Sequence, residues 1–163
     1  MLRALDLALL RVLRTRGHRP PGLERAVLAF SRSGEHGGLW QALCLAGLAL
    51  DPARRRLYRS TMGTVMCAYL ANIALKYVLR RRRPAVDGLA PLAPTVTGLS
   101  YPSAHSTTSF AATLALSREL PPAPLYAVAG AMALSRPYAG VHYPSDILAG
   151  ALFGTAVAKL RAP

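Results

Sequence analysis

Three short motifs in the second half of the chain contain most of the side chains that could do chemistry. Their reactive groups are three cations, two imidazoles, one hydroxyl and one carboxylate, supplied by Lys76, Arg83, Ser103, His105, Arg136, His142 and Asp146. Three cations suit the oxygens of one phosphoryl group, and two imidazoles suit a nucleophile and a general acid. A carboxylate can orient one of the imidazoles. The combination indicates phosphoryl transfer.

The spacing within these motifs resembles that of a known family. The motifs read Lys76-x6-Arg83-Pro84, Pro102-Ser103-Ala104-His105 and Ser135-Arg136-x5-His142-x3-Asp146. This is similar to the type-2 phosphatidic acid phosphatases, whose pattern is Lys-x6-Arg-Pro, Pro-Ser-Gly-His and Ser-Arg-x5-His-x3-Asp. The one departure is Ala104 where glycine is usual, and alanine is also small and keeps its backbone N–H.

The resemblance implies a role for each motif residue. His142 is the expected nucleophile, because a neutral imidazole can attack phosphorus and form a phosphohistidine. Asp146 is expected to fix the tautomer of that ring, and His105 to act as general acid and then as base for water. The expected phosphate-binding groups are Lys76, Arg83, Ser103, Ala104 and Arg136, with Ser103 as the cap of a helix whose first N–H groups meet the phosphate.

Other polar residues near the motifs have less specific interpretations. The run from Arg80 to Arg82 is typical of an anchor that faces lipid headgroups, without a direct catalytic role. Glu35 and His36 are candidates for binding the substrate headgroup, although a plain polar helix start explains them equally well. The sequence has no cluster of carboxylates suited to Mg²⁺ or Zn²⁺, so we expect a mechanism without metal or cofactor.

The composition places the chain in a membrane. Hydrophobic residues make up 52% of its 163 residues, yet the formal net charge is +13. These two facts agree if apolar helices lie in lipid and the basic residues lie at their ends, close to anionic headgroups. Nucleic-acid binding is the other usual interpretation of such a charge, but it leaves the apolar stretches without a use. We therefore expect membrane lipids as partners and no nucleic acid.

Apolar stretches and their breaks predict an all-α membrane bundle in a single domain, 1–163. Residues 1–32 are expected to form interfacial helices, an amphipathic one over Leu2–Thr15 and a second over Leu23–Arg32. Residues 34–160 are expected to form about five spans, at Gly34–Leu50, Leu57–Leu79, Ala104–Leu120, Pro124–Tyr138 and Pro144–Leu160. Four of these are shorter than the roughly 20 residues of an ideal crossing, and their small residues favour close helix packing.

The same topology predicts that the motifs meet. The first motif ends the second span, the second begins the third span, and the last motif joins the fourth span to the fifth. An up-and-down bundle places all of these positions at one face of the membrane. We assign 13 of the 20 Lys and Arg residues to that face (3, 11, 14, 16, 19, 25, 32, 76, 80–83 and 136) and 7 to the other. Without the three expected phosphate-binding cations the ratio is 10 to 7, which favours a cytoplasmic site.

We therefore expect a membrane enzyme that removes phosphate from a lipid. The stretch Gly34-Glu35-His36 and the segment Leu99–Ser103 resemble the actinobacterial phosphatases of decaprenylphosphoryl-5-phosphoribose. Undecaprenyl pyrophosphate, phosphatidic acid and phosphatidylglycerophosphate remain open as substrates. The alternative of another class is a non-enzymatic membrane protein whose basic face binds anionic lipid. The sequence does not indicate an oligomeric state.

Overall fold

The computed structural model describes residues 2–15, 20–86 and 88–162, and within these ranges the regular elements are helices. The predicted all-α class is confirmed. The seven α-helices are α1 (Leu2–Thr15), α2 (Pro21–Ser33), α3 (Gly38–Leu50), α4 (Arg55–Leu79), α5 (Ala104–Leu116), α6 (Pro122–Tyr138) and α7 (Pro144–Leu160). Two short 3₁₀ turns, Glu35–Gly37 and Pro52–Arg54, precede α3 and α4. Arg16 and Arg19, which were assigned to the active-site face, lie outside the described residues.

Prolines and positive backbone angles explain where the helices depart from their predicted bounds. The first predicted span begins at Gly38 and not at Gly34, because His36 (φ 55°) and Gly37 (φ 77°) interrupt the helix. The third ends at Leu116, four residues early. The fourth begins at Pro122, because proline fits the first turn of a helix, where an N–H has no partner to lose.

Helix length separates α4 from the other apolar helices. Within the described residues, Pro52–Leu79 is the one helical stretch long and apolar enough to cross a membrane by itself. Helices α3 and α5 have 13 residues each. At about 1.5 Å per residue each rises about 20 Å, less than the ~30 Å of a hydrocarbon core. The number of crossings therefore stays a prediction.

Helix α5 is the centre of the bundle, packed against α4, α6 and α7. It is polar for a central helix, and its buried hydroxyls include those of Thr107 and Thr108. They donate to backbone carbonyls one turn earlier, at 2.9 Å to Ser103 and 3.0 Å to Ala104. Such bonds satisfy the hydroxyls inside the helix, so neighbouring helices can pack against small side chains.

Two glycines allow α7 to approach α5 closely. A Cβ at Gly154 would lie 2.0 Å from the carbonyl oxygen of Thr107, and one at Gly150 would lie 2.6 Å from that of Ser103. Both obstacles are backbone atoms, which cannot move aside as a flexible side chain can. The predicted close packing through small residues is confirmed at this contact, which holds the N-terminal ends of α5 and α7 together.

Helix α1 lies across this end of the bundle and packs against α6 and α7. Asp6 and Leu10 are buried on its inner side, whereas Leu5 and Leu9 are exposed. An apolar surface turned away from the protein is what an interfacial helix requires.

A glycine substitution tests the contact between α5 and α7. We expect Gly154→Ala to lower the unfolding temperature of the detergent-solubilised protein and to reduce activity, because the new Cβ forces the two backbones apart. Overpacking of this kind typically costs about 1–3 kcal/mol. The matched control is Gly130→Ala in α6, where a Cβ meets nothing within 4 Å. An unchanged unfolding temperature for Gly154→Ala would contradict the close contact.

Candidate active site

A cavity of about 320 Å³ brings the three motifs together at one end of the bundle. Eight of the ten candidate residues from the sequence line its wall, together with the loop residues 94–97. These eight are Glu35, His36, Lys76, Arg83, Ala104, His105, Arg136 and His142. Ser103 and Asp146 are fully buried behind this wall. The motifs therefore meet as the helix topology predicted.

The ring of His142 lies between the carboxylate of Asp146 and the guanidinium of Arg83. Its Nδ1 lies 3.4 Å from Oδ2 of Asp146, and its Nε2 lies 3.1 Å from Nη1 of Arg83. A guanidinium can only donate, so Nε2 accepts and the ring proton is on Nδ1. Burial lowers the pKa of His142, and the charges of Arg83 and Lys76 lower it further. At neutral pH the ring is therefore neutral, with its proton on Nδ1 and the lone pair of Nε2 facing the Arg83 guanidinium.

Asp146 is fixed from three directions in the first turn of α7. Its Oδ2 accepts the backbone N–H of Tyr143 at 2.9 Å, besides facing His142. Its Oδ1 accepts from Nη1 of Arg81 at 2.8 Å. Pro144 begins the helix, as predicted, so the carboxylate lies at the positive end of the helix dipole. These contacts give the buried carboxylate hydrogen-bond partners and hold it in one orientation.

The prediction that the whole run from Arg80 to Arg82 faces lipid headgroups is wrong for Arg81. Arg80 and Arg82 are exposed, but the guanidinium of Arg81 turns inward to the carboxylates of Asp146 and Asp6. It also lies 4.0 Å from the centre of the Tyr143 ring. The motif spacing could not show this, because the three arginines are equivalent in sequence.

His105 has a neutral hydrogen-bond partner where His142 has a carboxylate. Nε2 of His105 lies 3.0 Å from the carbonyl oxygen of Ser31 and donates to it. The ring nitrogen left for chemistry is Nδ1. Ser103 caps α5 as predicted, and its side chain accepts from the N–H of Ser106.

Ser31, at the end of α2, is a residue that the sequence analysis missed. It is fully buried, and its Oγ accepts from Nη1 of Arg136 at 2.7 Å and from Oγ of Ser135 at 2.9 Å. Its carbonyl holds His105, so one residue positions both a catalytic candidate and a phosphate-binding candidate. The sequence carries no signal for it, because a serine near a helix end is common.

The three motif cations differ in how many of their donors are already used. The ammonium of Lys76 contacts the carbonyls of Pro102, Ser100 and Leu99 at 2.7, 3.1 and 3.5 Å, so an anion would replace the weakest of these. In contrast, Nε of Arg136 is buried and makes no hydrogen bond to any described residue. A buried donor of this kind at a cavity calls for an acceptor from a ligand.

Arg83 joins the loop before α5 to the loop before α7. Its Nε donates to the carbonyl of Thr97 at 2.8 Å and its Nη1 to that of Val141 at 2.7 Å. Burial lowers the pKa of Arg83 to about 10, so the guanidinium is still charged at neutral pH. Its position beside His142 is thus set by the backbone, independently of any bound anion.

Glu35 and His36 lie at the exposed mouth of the cavity. Nδ1 of His36 lies 2.6 Å from the hydroxyl of Tyr69, and the two rings pack edge to face. Tyr69 and Ile73 continue this wall towards the motif cations. The sequence analysis named Glu35 and His36 but not Tyr69, whose place on α4 has no motif around it.

The sequence is similar to those of known phosphatases. The sequence model of the PAP2 superfamily matches residues 58–162. The chain is 40% identical over 131 residues to decaprenylphosphoryl-5-phosphoribose phosphatase of Mycolicibacterium smegmatis, which covers 80% of this chain and 72% of that protein. It is 36% identical over 141 residues to the Mycobacterium tuberculosis protein of the same name, covering 86% of this chain and 79% of that protein.

Solved structures share the fold. The transmembrane PAP2-type phosphatidylglycerolphosphate phosphatase of Bacillus subtilis superposes with a TM-score of 0.80 at 22% identity, over 98% of this chain and 84% of that one. LpxE of Aquifex aeolicus gives 0.80 at 25% identity, over 96% and 94%. The chain belongs to the PAP2 superfamily. The expected family and enzyme class, a membrane phosphatase, are confirmed.

Ser31→Ala tests whether the missed serine positions Arg136. We expect weaker inhibition by inorganic phosphate, by about 5- to 20-fold, because loss of the Oγ acceptor leaves Arg136 less well oriented and a hydrogen bond to a charged group is worth about 1.5–3 kcal/mol at most. The backbone carbonyl that holds His105 remains. Ser33→Ala is the matched control, since that hydroxyl is exposed and bonds only within its own helix. Equal phosphate inhibition in Ser31→Ala and wild type would contradict the proposed contact.

Proposed function

We propose that this protein hydrolyses the phosphomonoester of decaprenylphosphoryl-5-phosphoribose in the membrane, through a phosphohistidine at His142. The observation that carries the proposal is the position of His142 Nε2. This nitrogen carries the lone pair of the ring, lies next to the Arg83 guanidinium, and belongs to a cavity that Lys76, Arg136 and His105 also line. The substrate follows from the two relatives, which bear that name and match most of this chain.

The first step transfers the phosphoryl group to the enzyme. Nε2 of His142 forms a bond to phosphorus as the bond to the ribose oxygen breaks. His105, protonated on both ring nitrogens, gives the Nδ1 proton to the departing oxygen and becomes neutral. Arg83, Arg136 and Lys76 stabilise the charge on the phosphoryl oxygens, which is greatest in the transition state.

The second step restores the enzyme. Neutral His105 takes a proton from a water molecule, and the water oxygen bonds to phosphorus while the bond to His142 breaks. The electron pair returns to Nε2, inorganic phosphate leaves, and His105 is again protonated. Asp146 stabilises His142 while it carries the phosphoryl group, because the Nδ1 proton of the ring then bears more positive charge.

A sugar between the phosphate and the lipid gives the outer wall of the cavity a role. Glu35 offers a carboxylate that can accept from ribose hydroxyls, and His36 and Tyr69 form a coupled polar pair beside it. Ile73 provides an apolar surface on the same side. A diacylglycerol phosphate has no free hydroxyl that could hydrogen-bond to these polar side chains.

A substrate panel with one variant separates the sugar-linked substrate from other lipid phosphates. We expect the purified protein to release phosphate fastest from the prenyl-linked phosphoribose substrate, compared with undecaprenyl pyrophosphate, phosphatidic acid and phosphatidylglycerophosphate. Glu35→Gln should lower kcat/KM for the sugar substrate by about tenfold and leave that for phosphatidic acid within about twofold.

Two variants control this panel. Glu24→Gln removes an acidic side chain from α2 outside the cavity and should match wild type. His142→Ala should release no phosphate from any substrate. Release by His142→Ala would refute the nucleophile, and an equal loss on all substrates in Glu35→Gln would refute the sugar-binding wall.

The favoured orientation places this site at the cytoplasmic face, with about five helices in the membrane. It rests on the excess of basic residues at the active-site end. A prenyl-linked sugar phosphate made inside the cell would reach such a site without crossing the bilayer.

Cysteine labelling in intact cells tests the orientation. In a variant without Cys44 and Cys67, we expect Val96→Cys to resist a membrane-impermeant thiol reagent until the membrane is opened, because its exposed loop belongs to the active-site end. Arg56→Cys, at the other end of α4, should react in intact cells. Labelling of Val96→Cys in intact cells would reverse the orientation and favour an outward-facing substrate such as undecaprenyl pyrophosphate.

A further inference from the structure

A carboxylate of the N-terminal helix reaches the first turn of α7, next to the active site. Oδ1 of Asp6 accepts the backbone N–H of Ser145 at 3.0 Å, and its Oδ2 accepts the hydroxyl of the same residue. Asp6 is 4% exposed, an unusual degree of burial for an acid in an amphipathic helix. It therefore serves α7 as a cap supplied by another helix, at the end where a negative charge is favourable.

Arg81 connects this carboxylate with the one that orients His142. Its Nη2 donates to Asp6 at 2.7 Å, and its Nη1 donates to Asp146 at 2.8 Å and to the hydroxyl of Ser145 at 2.7 Å. One guanidinium thus spans two buried carboxylates with separate nitrogens. A lysine ammonium, which is a point charge, does not have this geometry.

The charge states of Asp6 and Arg81 are consistent with the hydrogen bond between their side chains. Burial alone would raise the pKa of Asp6, but the hydrogen bonds from Ser145 and Arg81 outweigh it and hold that pKa below its usual value. Burial would lower the pKa of Arg81, but the contact with Asp6 and the charge of Asp146 outweigh it and raise that pKa. At neutral pH both groups are charged.

We propose that Asp6 and Arg81 are positioning residues for phosphoryl transfer, which act by holding Asp146 against Nδ1 of His142. Arg81 is one of the six positions that the Lys76-x6-Arg83 motif leaves open, and Asp6 lies outside the family-matched region, 58–162. Neither residue lines the catalytic cavity. Helix α1 thereby becomes a part of the active-site framework, in addition to its place at the membrane surface.

The physical argument rests on the length of the contact between Asp146 and His142. At 3.4 Å it is long for a hydrogen bond, so it does not fix the carboxylate by itself. The shorter bonds from Arg81 and from the Tyr143 N–H determine where the carboxylate lies. Without Arg81, Asp146 could rotate away from His142, and the ring would lose its fixed tautomer.

The predicted effect is on the rate of chemistry more than on binding. This proposal rests on His142 as the nucleophile of the proposed function. Arg81→Gln and Asp6→Asn should each lower kcat for the best substrate of the panel by about 10- to 100-fold, the scale expected for a misplaced reacting group, with KM within about threefold. The phosphate-binding cations are untouched in both variants.

Two inhibitors separate positioning from a general loss of structure. Orthovanadate can bond to Nε2 of His142 and imitate the transition state, whereas inorganic phosphate depends on the cations. We expect Arg81→Gln to weaken vanadate inhibition at least about tenfold and phosphate inhibition by less than about twofold. Arg81→Lys should recover only part of the vanadate affinity, because it retains the charge without the two-nitrogen span.

Neighbouring arginines provide matched controls. Arg80→Gln and Arg82→Gln remove the same charge from exposed positions and should match wild type in kcat and in both inhibition constants. The double variant Asp6→Asn/Arg81→Gln should lose little more kcat than Arg81→Gln alone, because both residues act through one contact.

Three results would overturn the proposal. These are a wild-type kcat in Arg81→Gln, an equal loss of vanadate and phosphate inhibition, and independent losses that multiply in the double variant. If His142→Ala remains active, the proposed function fails instead. If His142→Ala is inactive and Arg81→Gln is normal, only the positioning role fails.

Discussion

The buried carboxylate of Asp146 is the charge on which the arrangement of the site depends. It is fully buried at the start of α7, where an ion without partners would be very costly. It has three partners: the Tyr143 N–H and the ring of His142, which are neighbours in the chain, and the distant guanidinium of Arg81. The same negative charge offsets part of the repulsion among the cations that surround the cavity.

Backbone packing brings these partners within reach of one another. Gly150 and Gly154 allow α7 to lie against the backbone of α5, and this contact places the start of α7, with Asp146, beside the start of α5, with His105. The N–H of Ser103 also donates to the carbonyl of Asp146 at 3.0 Å. The motif spacing supplies the reactive side chains, but the distance between the two histidines is set by backbone contacts between α5 and α7, which the spacing does not specify.

Much of the helix arrangement could be predicted from the sequence, because the signals for it are local. Prolines mark the starts of α6 and α7, and the apolar stretch that ends at Leu79 gives α4 its length. The partners Asp6 and Ser31 could not be predicted, because each lies more than 70 residues from the side chain that it holds. In addition, the acceptor for His105 is a backbone carbonyl, which any residue can supply. The break at His36 was missed because a non-glycine residue rarely adopts a positive φ.

The two histidines differ in their partners in a way that suits the two proposed roles. The nucleophile accumulates positive charge when it carries the phosphoryl group, and His142 faces a carboxylate that stabilises that charge. A proton shuttle must release its proton as readily as it takes it up. His105 faces the neutral carbonyl of Ser31, which orients the ring without adding a negative charge that would retain the proton. A carboxylate at that position would favour the imidazolium and slow the release of its proton to the leaving group. The different partners therefore favour the proposed roles, attack by His142 and proton transfer by His105, on electrostatic grounds and independently of the motif in which each residue lies.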